Sequence, residues 1–234
     1  MPSTISCPYC GKTLEPRIIP ILGRDRFLGF EECDCTGAQL ERKELANARR
    51  EQERREREAL REWEIETSGI PPRFREAKDA QAARYASTVM DGSNLYIYGN
   101  VGTGKTTLAA AVSIAIIDGW NVTLKFANMH DILADIRYTK GYDPTYPYKD
   151  AEVLVLDDLG KENTTGFYLE QLFAIVDDRY NHMRQTIVTT QYKPSELIAR
   201  LAEKGDHDTA QAIVSRLREN CLNVEIAGDD RRLA

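Results

Sequence analysis

Between positions 95 and 227, apolar residues fall into five short runs, and longer stretches with apolar residues at helical spacing separate these runs. Short runs rich in Val, Ile, Leu and Tyr predict β-strands, whereas helical spacing over longer windows predicts amphipathic helices. The predicted strands are 95–98, 121–126, 153–157, 186–191 and 223–227. The predicted helices are 105–117, 128–138, 166–183 and 209–220, and a shorter helix follows Pro194 with Ser195 as its cap.

The third run, 153–156, is apolar at every position rather than at alternate ones. A strand of a parallel sheet is buried on both faces, and this pattern is typical of such a strand near the centre of the sheet. Because strands and helices alternate along the chain, the pattern predicts an α/β fold with a doubly wound parallel sheet, right-handed crossovers and flanking helices.

A charged segment precedes this region. Residues 40–66 are dense in Glu and Arg, contain no Gly or Pro, and place glutamates four residues before arginines, as in Glu51 and Arg55. The segment therefore predicts a solvated helix, broken at 67–74. It acts either as a passive spacer or as a helix that docks on a partner through Leu45, Leu60 and Trp63. The predicted domains are 1–39, the linker 40–68, and 69–234.

The first predicted strand leads into the sequence GNVGTGKT, which fits the phosphate-binding loop of P-loop NTPases. Glycines let several backbone N–H groups point at one phosphate, and the following helix adds its positive N-terminal end. Lys105 supplies a charge for the phosphates, and the Thr106 hydroxyl suits Mg²⁺. The alternative is a glycine-rich turn with an incidental lysine. The predicted nucleotide-binding residues are Gly99, Asn100, Val101, Gly102, Thr103, Gly104, Lys105, Thr106 and Thr107.

Two acids end the apolar run 153–156, some fifty residues after the loop. An apolar strand that ends in acids is a Walker B pattern, so we expect Asp157 to hold Mg²⁺ and Asp158 to orient or deprotonate the attacking water. The alternative is that both acids merely cap a turn. Gln191 ends the fourth predicted strand, where an amide can sense the γ-phosphate.

Four cysteines lie in the first 35 residues, at Cys7, Cys10, Cys33 and Cys35. Two pairs of thiolates on tight turns suit a tetrahedral Zn²⁺, and a predicted β-hairpin over 18–30 separates the pairs. Four thiolates leave no open position, so a structural zinc site is expected. The alternative is a set of unrelated reduced thiols.

Composition limits the partners and the compartment. The net charge is −6, so any contact with nucleic acid needs a local basic patch. No apolar run approaches the ~20 residues of a membrane span, and the N-terminal residues lack the build of a signal peptide. We expect a cytoplasmic, reducing environment in which disulfides are disfavoured.

Taken together, these motifs resemble the AAA+ ATPases of the DnaC/DnaI/IstB family, which comprises bacterial and phage helicase loaders together with transposition helpers. The resemblance covers the chain from about Gly69 to its end, and the N-terminal cysteines resemble the DnaI-like subgroup, whose zinc-bearing domain binds the replicative helicase. It rests on GIPPRF at 69–74, the loop GNVGTGKT, LVLDDLG at 154–160, IVTT at 187–190 and IVSRL at 213–217.

The resemblance implies a role for each matching residue. Lys105, Thr106, Asp157 and Asp158 become the nucleotide and magnesium site, and Gln191 becomes sensor 1, where the family usually has Asn. The remaining two catalytic assignments are Arg216, an arginine finger reaching a neighbouring subunit's nucleotide, and Arg232, which resembles sensor 2. With two residues after Arg232, the helical lid of larger members is expected to be absent or vestigial.

The resemblance also implies an ATP-dependent helicase loader that binds a DnaB-type hexameric helicase and single-stranded DNA and forms a helical or ring-like homo-oligomer, without a membrane partner. Alternatives are an IstB-like transposition helper and a nucleotide-dependent adaptor without significant hydrolysis. Cations that track phosphates and aromatic rings that stack on bases suit single strands. The DNA-binding candidates are Lys161, Thr164, Thr165 and Phe167, and further Arg137, Tyr138 and Lys140; core packing is the alternative for Phe167.

Overall fold

The computed structural model describes residues 4–21, 24–139, 141–162, 165–203, 205–228 and 230. The chain forms two compact units, Met1–Leu60 and Arg61–Ala234. Three residues with a predicted role, Lys140, Thr164 and Arg232, lie outside the described residues.

The first unit contains two small antiparallel sheets. Strands β1 (Ile5–Ser6) and β2 (Thr13–Leu14) pair with each other, as do β3 (Pro16–Ile21) and β4 (Arg24–Phe30). The second pair confirms the hairpin predicted over 18–30. The buried core of this unit consists of Cys7, Leu14, Cys33 and Ala38.

Helix α1 (Thr36–Thr67) confirms the predicted charged helix and extends it at its N-terminal end. The predicted pair of Glu51 and Arg55 forms at 3.0 Å, within a row of exposed ion pairs that contribute little to stability. Leu45, Leu60 and Trp63 are all more than half exposed. The apolar stripe of the sequence is therefore present, on the solvent side of the helix.

The second unit is built on a parallel sheet, and the predicted α/β fold with flanking helices is confirmed. Its strand order within the described residues is β6-β7-β8-β5-β9, and every neighbouring pair is parallel. In this order β8 lies between β5 and β7, so the polar residues at its end lie between the ends of both neighbours. The strands are β5 (Asn94–Tyr98), β6 (Leu124–Asn128), β7 (Val153–Asp157), β8 (Gln185–Thr190) and β9 (Cys221–Glu225).

Helices cover both faces of this sheet. Alternate residues of one strand enter different cores, since Leu154 of β7 belongs to one cluster and Val155 to the other. Helices α2 and α3 cover the face of Val155, and α4, α6, α7 and α8 cover the face of Leu154. The helices are α2 (Ala82–Met90), α3 (Lys105–Gly119), α4 (Met129–Tyr138), α5 (Tyr146–Asp150), α6 (Gly166–Asn181), α7 (Pro194–Ala202) and α8 (His207–Arg218), with a 3₁₀ turn at Pro72–Phe74.

Among the described residues, each helix is too short or too polar to span a bilayer.

Some element predictions were wrong in detail. Helix α2 was missed, and α5 occupies part of the predicted loop 141–148. Strand β6 begins three residues late, because the Thr123 N–H donates to the Glu152 carboxylate instead of extending the ladder. Ser195 does not cap α7: Pro194 takes the first helical position, so Lys193 becomes the N-cap and donates its N–H to Glu196.

In the second unit, Arg179 joins α6 to α5 with the connection that follows it and to the start of β8. Its side chain is 1% exposed, and its guanidinium donates to the carbonyls of Tyr148, Ala151 and Gln185 and to the Thr186 hydroxyl. Burial lowers the pKa of Arg179 to about 9. A buried cation needs such a set of acceptors, and the acceptors in turn need the donors.

We therefore expect Arg179→Met to lower the free energy of unfolding by about 3 kcal/mol or more, since each buried acceptor left unpaired costs about 1–3 kcal/mol. Urea denaturation of the whole chain measures the change. Arg84→Met, at an exposed position of α2, serves as the control and should change stability by less than about 0.5 kcal/mol. Equal stability of the two variants would contradict this prediction.

Candidate functional site

The predicted phosphate loop connects β5 to α3, as the motif requires. Gly104 is the N-cap of α3 with φ 99°, a left-handed conformation that glycine adopts without a steric cost. Gly99 also has a positive φ, and a Cβ atom there would clash with the carbonyl oxygen of Ile226. The end of β9 therefore packs against the start of the loop, and only glycine fits at this contact.

Lys105 is enclosed by the loop that it follows. The residue is 6% exposed, and its ammonium donates to the carbonyls of Gly99 and Asn100 at 2.9 and 2.6 Å. These bonds keep the charge inside the curl of the loop. Together with the N-terminus of α3, the lysine makes this the positive end of the site.

Thr106, in the first turn of α3, contacts Asp157 at the end of β7. The Thr106 hydroxyl donates to the Asp157 carboxylate, with Oγ1 3.0 Å from Oδ1 and 3.2 Å from Oδ2. Burial raises the pKa of the Asp157 carboxyl, and hydrogen bonds from Thr189 and Thr106 oppose that rise. A hydroxyl and a carboxylate side by side are hard oxygen ligands, so these two residues fit a divalent cation such as Mg²⁺.

Sequence reasoning missed Thr189, at the end of β8. Its hydroxyl donates to Asp157 Oδ1 at 2.6 Å and accepts the N–H of Asp158 at 2.8 Å. Asp158 itself has φ 55°, in the left-handed region that non-glycine residues seldom adopt. The sequence feature that pointed to this residue was the pair Thr189-Thr190, which follows the apolar residues of a predicted strand.

A cavity of about 410 Å³ brings most of the predicted site residues together. Asp158 lines it and forms an ion pair with Lys161 at 3.0 Å. Arg73 and Phe74 line it as well and were not predicted, although they follow the Pro71-Pro72 break that was noted in the sequence. The lining residues are Arg73, Phe74, Val101, Gly102, Gly104, Lys105, Thr106, Thr107, Asp158, Lys161 and Gln191.

Two further residues flank this cavity. The Asp230 carboxylate lies against Gly102, where a Cβ atom would overlap it. Arg200 of α7 donates to the carbonyls of Gly160 and Glu162 at 2.8 and 3.0 Å. Arg200 thereby supports the turn that carries Lys161.

Arg216 lies at the opposite edge of the sheet. It lines a separate cavity with Asn94 and Gln185, which begin β5 and β8, whereas the phosphate loop follows the other end of β5. Its Nε lies 2.8 Å from Asp177 Oδ1, although the N–H does not point at that oxygen, and its guanidinium stacks between two aromatic rings of α6. Arg216 is therefore remote from the phosphate loop of its own chain.

The described DNA-binding candidates lie after β7 and in α4. Phe167 is 47% exposed, so the alternative of core packing is wrong for this residue. Thr165 is exposed and is the N-cap of α6, where its hydroxyl accepts the N–H of Tyr168. Tyr138, at the end of α4, is 82% exposed.

The four N-terminal cysteines converge in the first unit. Their sulfur atoms all lie within 4.8 Å of one another, with Cys7 and Cys35 at 3.7 Å and Cys10 and Cys33 at 3.4 Å. The backbone N–H groups of Tyr9 and Cys10 point at the Cys7 sulfur and lower the pKa of its thiol to about 7. A thiolate is the metal-binding form of cysteine, so this cluster can hold a metal ion.

Comparison with known proteins gives four findings. The model of the family described as IstB-like ATP binding protein matches residues 34–234. The crystal structure of DnaI is 25% identical, with a TM-score of 0.58 over 69% of this chain and 94% of that chain. The crystal structure of the DnaC helicase loader is also 25% identical, with a TM-score of 0.55 over 67% of this chain and all of that chain.

The fourth finding is a curated relative. The chromosomal replication initiator protein DnaA of Lacticaseibacillus casei (strain BL23) is 27% identical over 161 residues, which are 64% of this chain and 33% of that protein. This chain thus spans about a third of the length of DnaA.

The family match extends over most of the chain and includes the phosphate loop, the Thr106–Asp157 contact and the polar end of β8. The predicted DnaC/DnaI/IstB-like resemblance is confirmed. The chain belongs to the IstB-like ATP-binding protein family and is an AAA+ P-loop ATPase.

Proposed function

We propose that this protein is an ATP-dependent loader that places a DnaB-type hexameric helicase on single-stranded DNA. The similarity to DnaI and to the DnaC helicase loader supports this role, since each alignment covers about two thirds of this chain. The single observation that carries it is the occurrence of a four-cysteine cluster ahead of such an ATPase. An IstB-like transposition helper shares the ATPase, but such proteins usually begin with a helical domain.

In this proposal the chain has three parts. Residues 1–39 bind zinc and the helicase, residues 40–68 form a charged helical linker, and residues 69–234 form the ATPase. The cysteine geometry supports zinc, because a tetrahedral ion with Zn–S distances of about 2.3 Å places its sulfurs about 3.8 Å apart. Two of the sulfur distances, 3.4 Å for Cys10–Cys33 and 3.7 Å for Cys7–Cys35, lie close to that value, and all four sulfurs lie within 4.8 Å of one another.

The arrangement around the cavity supports ATP hydrolysis. The N–H groups of the loop and Lys105 would bind the phosphates, and Thr106 and Asp157 would hold Mg²⁺, which would neutralise charge on the phosphates. Asp158 orients the attacking water and accepts its proton, and Gln191 contacts the γ-phosphate. Arg232 acts as sensor 2. Arg216 cannot reach this cavity within one chain, so its proposed role is to complete the site of a neighbouring subunit in a nucleotide-dependent oligomer.

In this proposal single-stranded DNA binds to the segment that follows β7. Lys161 tracks phosphates, Phe167 stacks on a base, and Thr164 and Thr165 contact the backbone. The net charge of −6 predicts weak, salt-sensitive and sequence-tolerant binding, because Lys161 is the one cation among these four residues.

The first expectation concerns catalysis. Lys105→Ala should lower the ATPase rate at least about 100-fold, because the charge that stabilises the transferring phosphate is lost. Steady-state phosphate release, measured with and without single-stranded DNA, tests this. Lys78→Ala, at an exposed lysine, should match the wild type. A wild-type chain that binds ATP but never hydrolyses it, with DNA or without, would instead be a nucleotide-dependent adaptor.

The second expectation concerns Arg216. In the assembled complex Arg216→Ala should lower ATPase activity by about 10³-fold, the lower end of measured arginine-finger effects. Mixing this variant with Lys105→Ala should restore part of the activity, since one chain then supplies the phosphate loop and its neighbour the arginine.

Arg218→Ala, exposed on the same helix, is the control for that experiment and should retain full activity. Thermal denaturation of each variant separates catalysis from folding, because Arg216 also packs against α6. If Arg216→Ala hydrolyses ATP at the wild-type rate in the oligomer, the assignment is wrong.

The third expectation concerns the cysteines. The full chain, purified without chelator, should contain about one zinc per molecule and should capture the hexameric helicase. Cys33→Ser should lose both properties, whereas Cys221→Ser, outside the cluster, should keep both. Metal analysis by atomic emission and a pull-down with purified helicase provide the measurements. Full capture by a zinc-free Cys33→Ser variant would separate the metal from helicase binding and count against the proposal.

A further inference from the structure

Two neighbouring threonines at the end of β8 bury their hydroxyls completely. The Thr190 hydroxyl donates to the carbonyl of Leu159 at 2.7 Å and accepts the N–H of Tyr192 at 3.3 Å, and within the described part of the chain it bonds to neither acid. Thr189 instead joins both acids, donating to Asp157 and accepting from the backbone of Asp158. The two hydroxyls thus lie in similar surroundings and have different partners.

We propose that Thr189 is a positioning residue of the ATPase site, which orients the metal-holding carboxylate of Asp157 and the backbone of Asp158 together. The inference rests on the proposed function, because it assigns to Asp157 the role of holding Mg²⁺ beside Thr106. It adds a residue to which neither the phosphate-loop motif nor the Walker B motif points.

The hydrogen bonds around Thr189 have a defined direction. A hydroxyl has one proton and two lone pairs, and the Asp158 N–H can only donate. Thr189 therefore accepts from Asp158 and gives its one proton to Asp157 Oδ1, at 2.6 Å. Because Thr106 donates to the same carboxylate from the phosphate-loop side, the two hydroxyls together restrict rotation of the Asp157 side chain.

The second part of the proposed role is to hold the backbone of Asp158. A φ of 55° is unfavourable for an aspartate, and such a conformation persists only where its surroundings hold it. The N–H bond to Thr189 fixes this residue at its N-terminal side, and the Leu159 N–H donates to the Thr189 carbonyl at 2.8 Å. Held in this way, the Asp158 side chain lines the cavity.

The test compares Thr189→Val with Thr190→Val and Thr189→Ser. Each valine removes one buried hydroxyl at nearly constant volume, and serine restores the hydroxyl at position 189. The first readout is the affinity for a fluorescent ATP analogue, measured with EDTA and with Mg²⁺. The second is the steady-state ATPase, with kcat and KM determined separately.

For Thr189→Val we expect the Mg²⁺-dependent gain in affinity and kcat to fall about 10- to 100-fold, the usual range for partners of metal ligands. Its affinity in EDTA should stay within about twofold of the wild type, and its KM, measured with Mg²⁺, should rise in step with the lost affinity. Thr190→Val should match the wild type in both readouts, and Thr189→Ser should recover most of the loss. Because Thr189 acts through Asp157, adding Thr189→Val to Asp157→Asn should cost little more.

Wild-type behaviour of Thr189→Val would overturn the inference, and so would an equal loss in Thr190→Val, which would show a general need for buried hydroxyls. Should Thr189→Val fail to fold, Thr189→Ala removes the same hydroxyl and is judged by the same readouts. If the wild-type chain itself gains no affinity from Mg²⁺ and hydrolyses no ATP, the proposed function fails before any variant is compared.

Discussion

The nucleotide site depends on one row of hydrogen bonds at the carboxyl edge of the sheet, running from Thr106 to Asp157, Thr189 and the backbone of Asp158. Its members come from three separate parts of the chain. They meet because β8 lies between β5 and β7, so that three parallel strands end side by side. The carboxyl ends of parallel strands are where open α/β sheets bind ligands, and here the strand order decides which side chains are neighbours.

The phosphate loop and the acids after β7 were readable from the sequence because each is a local pattern. Loop chemistry needs glycines and a lysine at fixed spacing, and a strand buried on both faces must be apolar throughout. Thr189 could not be found in that way, since its role depends on a strand pairing that brings together residues 32 positions apart. Helix α2 was missed for a different reason, because its nine residues are fewer than the window over which helical spacing is usually recognised.

The two ends of the sheet carry different functional groups. At one end the site of a single chain already contains a phosphate loop, a pair of acids and an amide-bearing strand end. At the other end Arg216 stacks on aromatic rings of α6 and lies beside Asp177, and burial there is only partial. The ligand-binding groups and Arg216 therefore lie at opposite ends of the sheet. The proposed oligomer would then be head-to-tail, with one end of each subunit against the other end of the next.

Arg179 links α5 to the start of β8 and thereby affects local unfolding of this part of the core. Its guanidinium is held by oxygen atoms from α5 and the connection that follows it, and from the start of β8. Detaching either segment alone would leave a cation in an apolar interior with half of its acceptors gone. Partial opening of this region is therefore disfavoured, so we expect its amide protons to exchange with solvent together, as one cooperative block, rather than segment by segment.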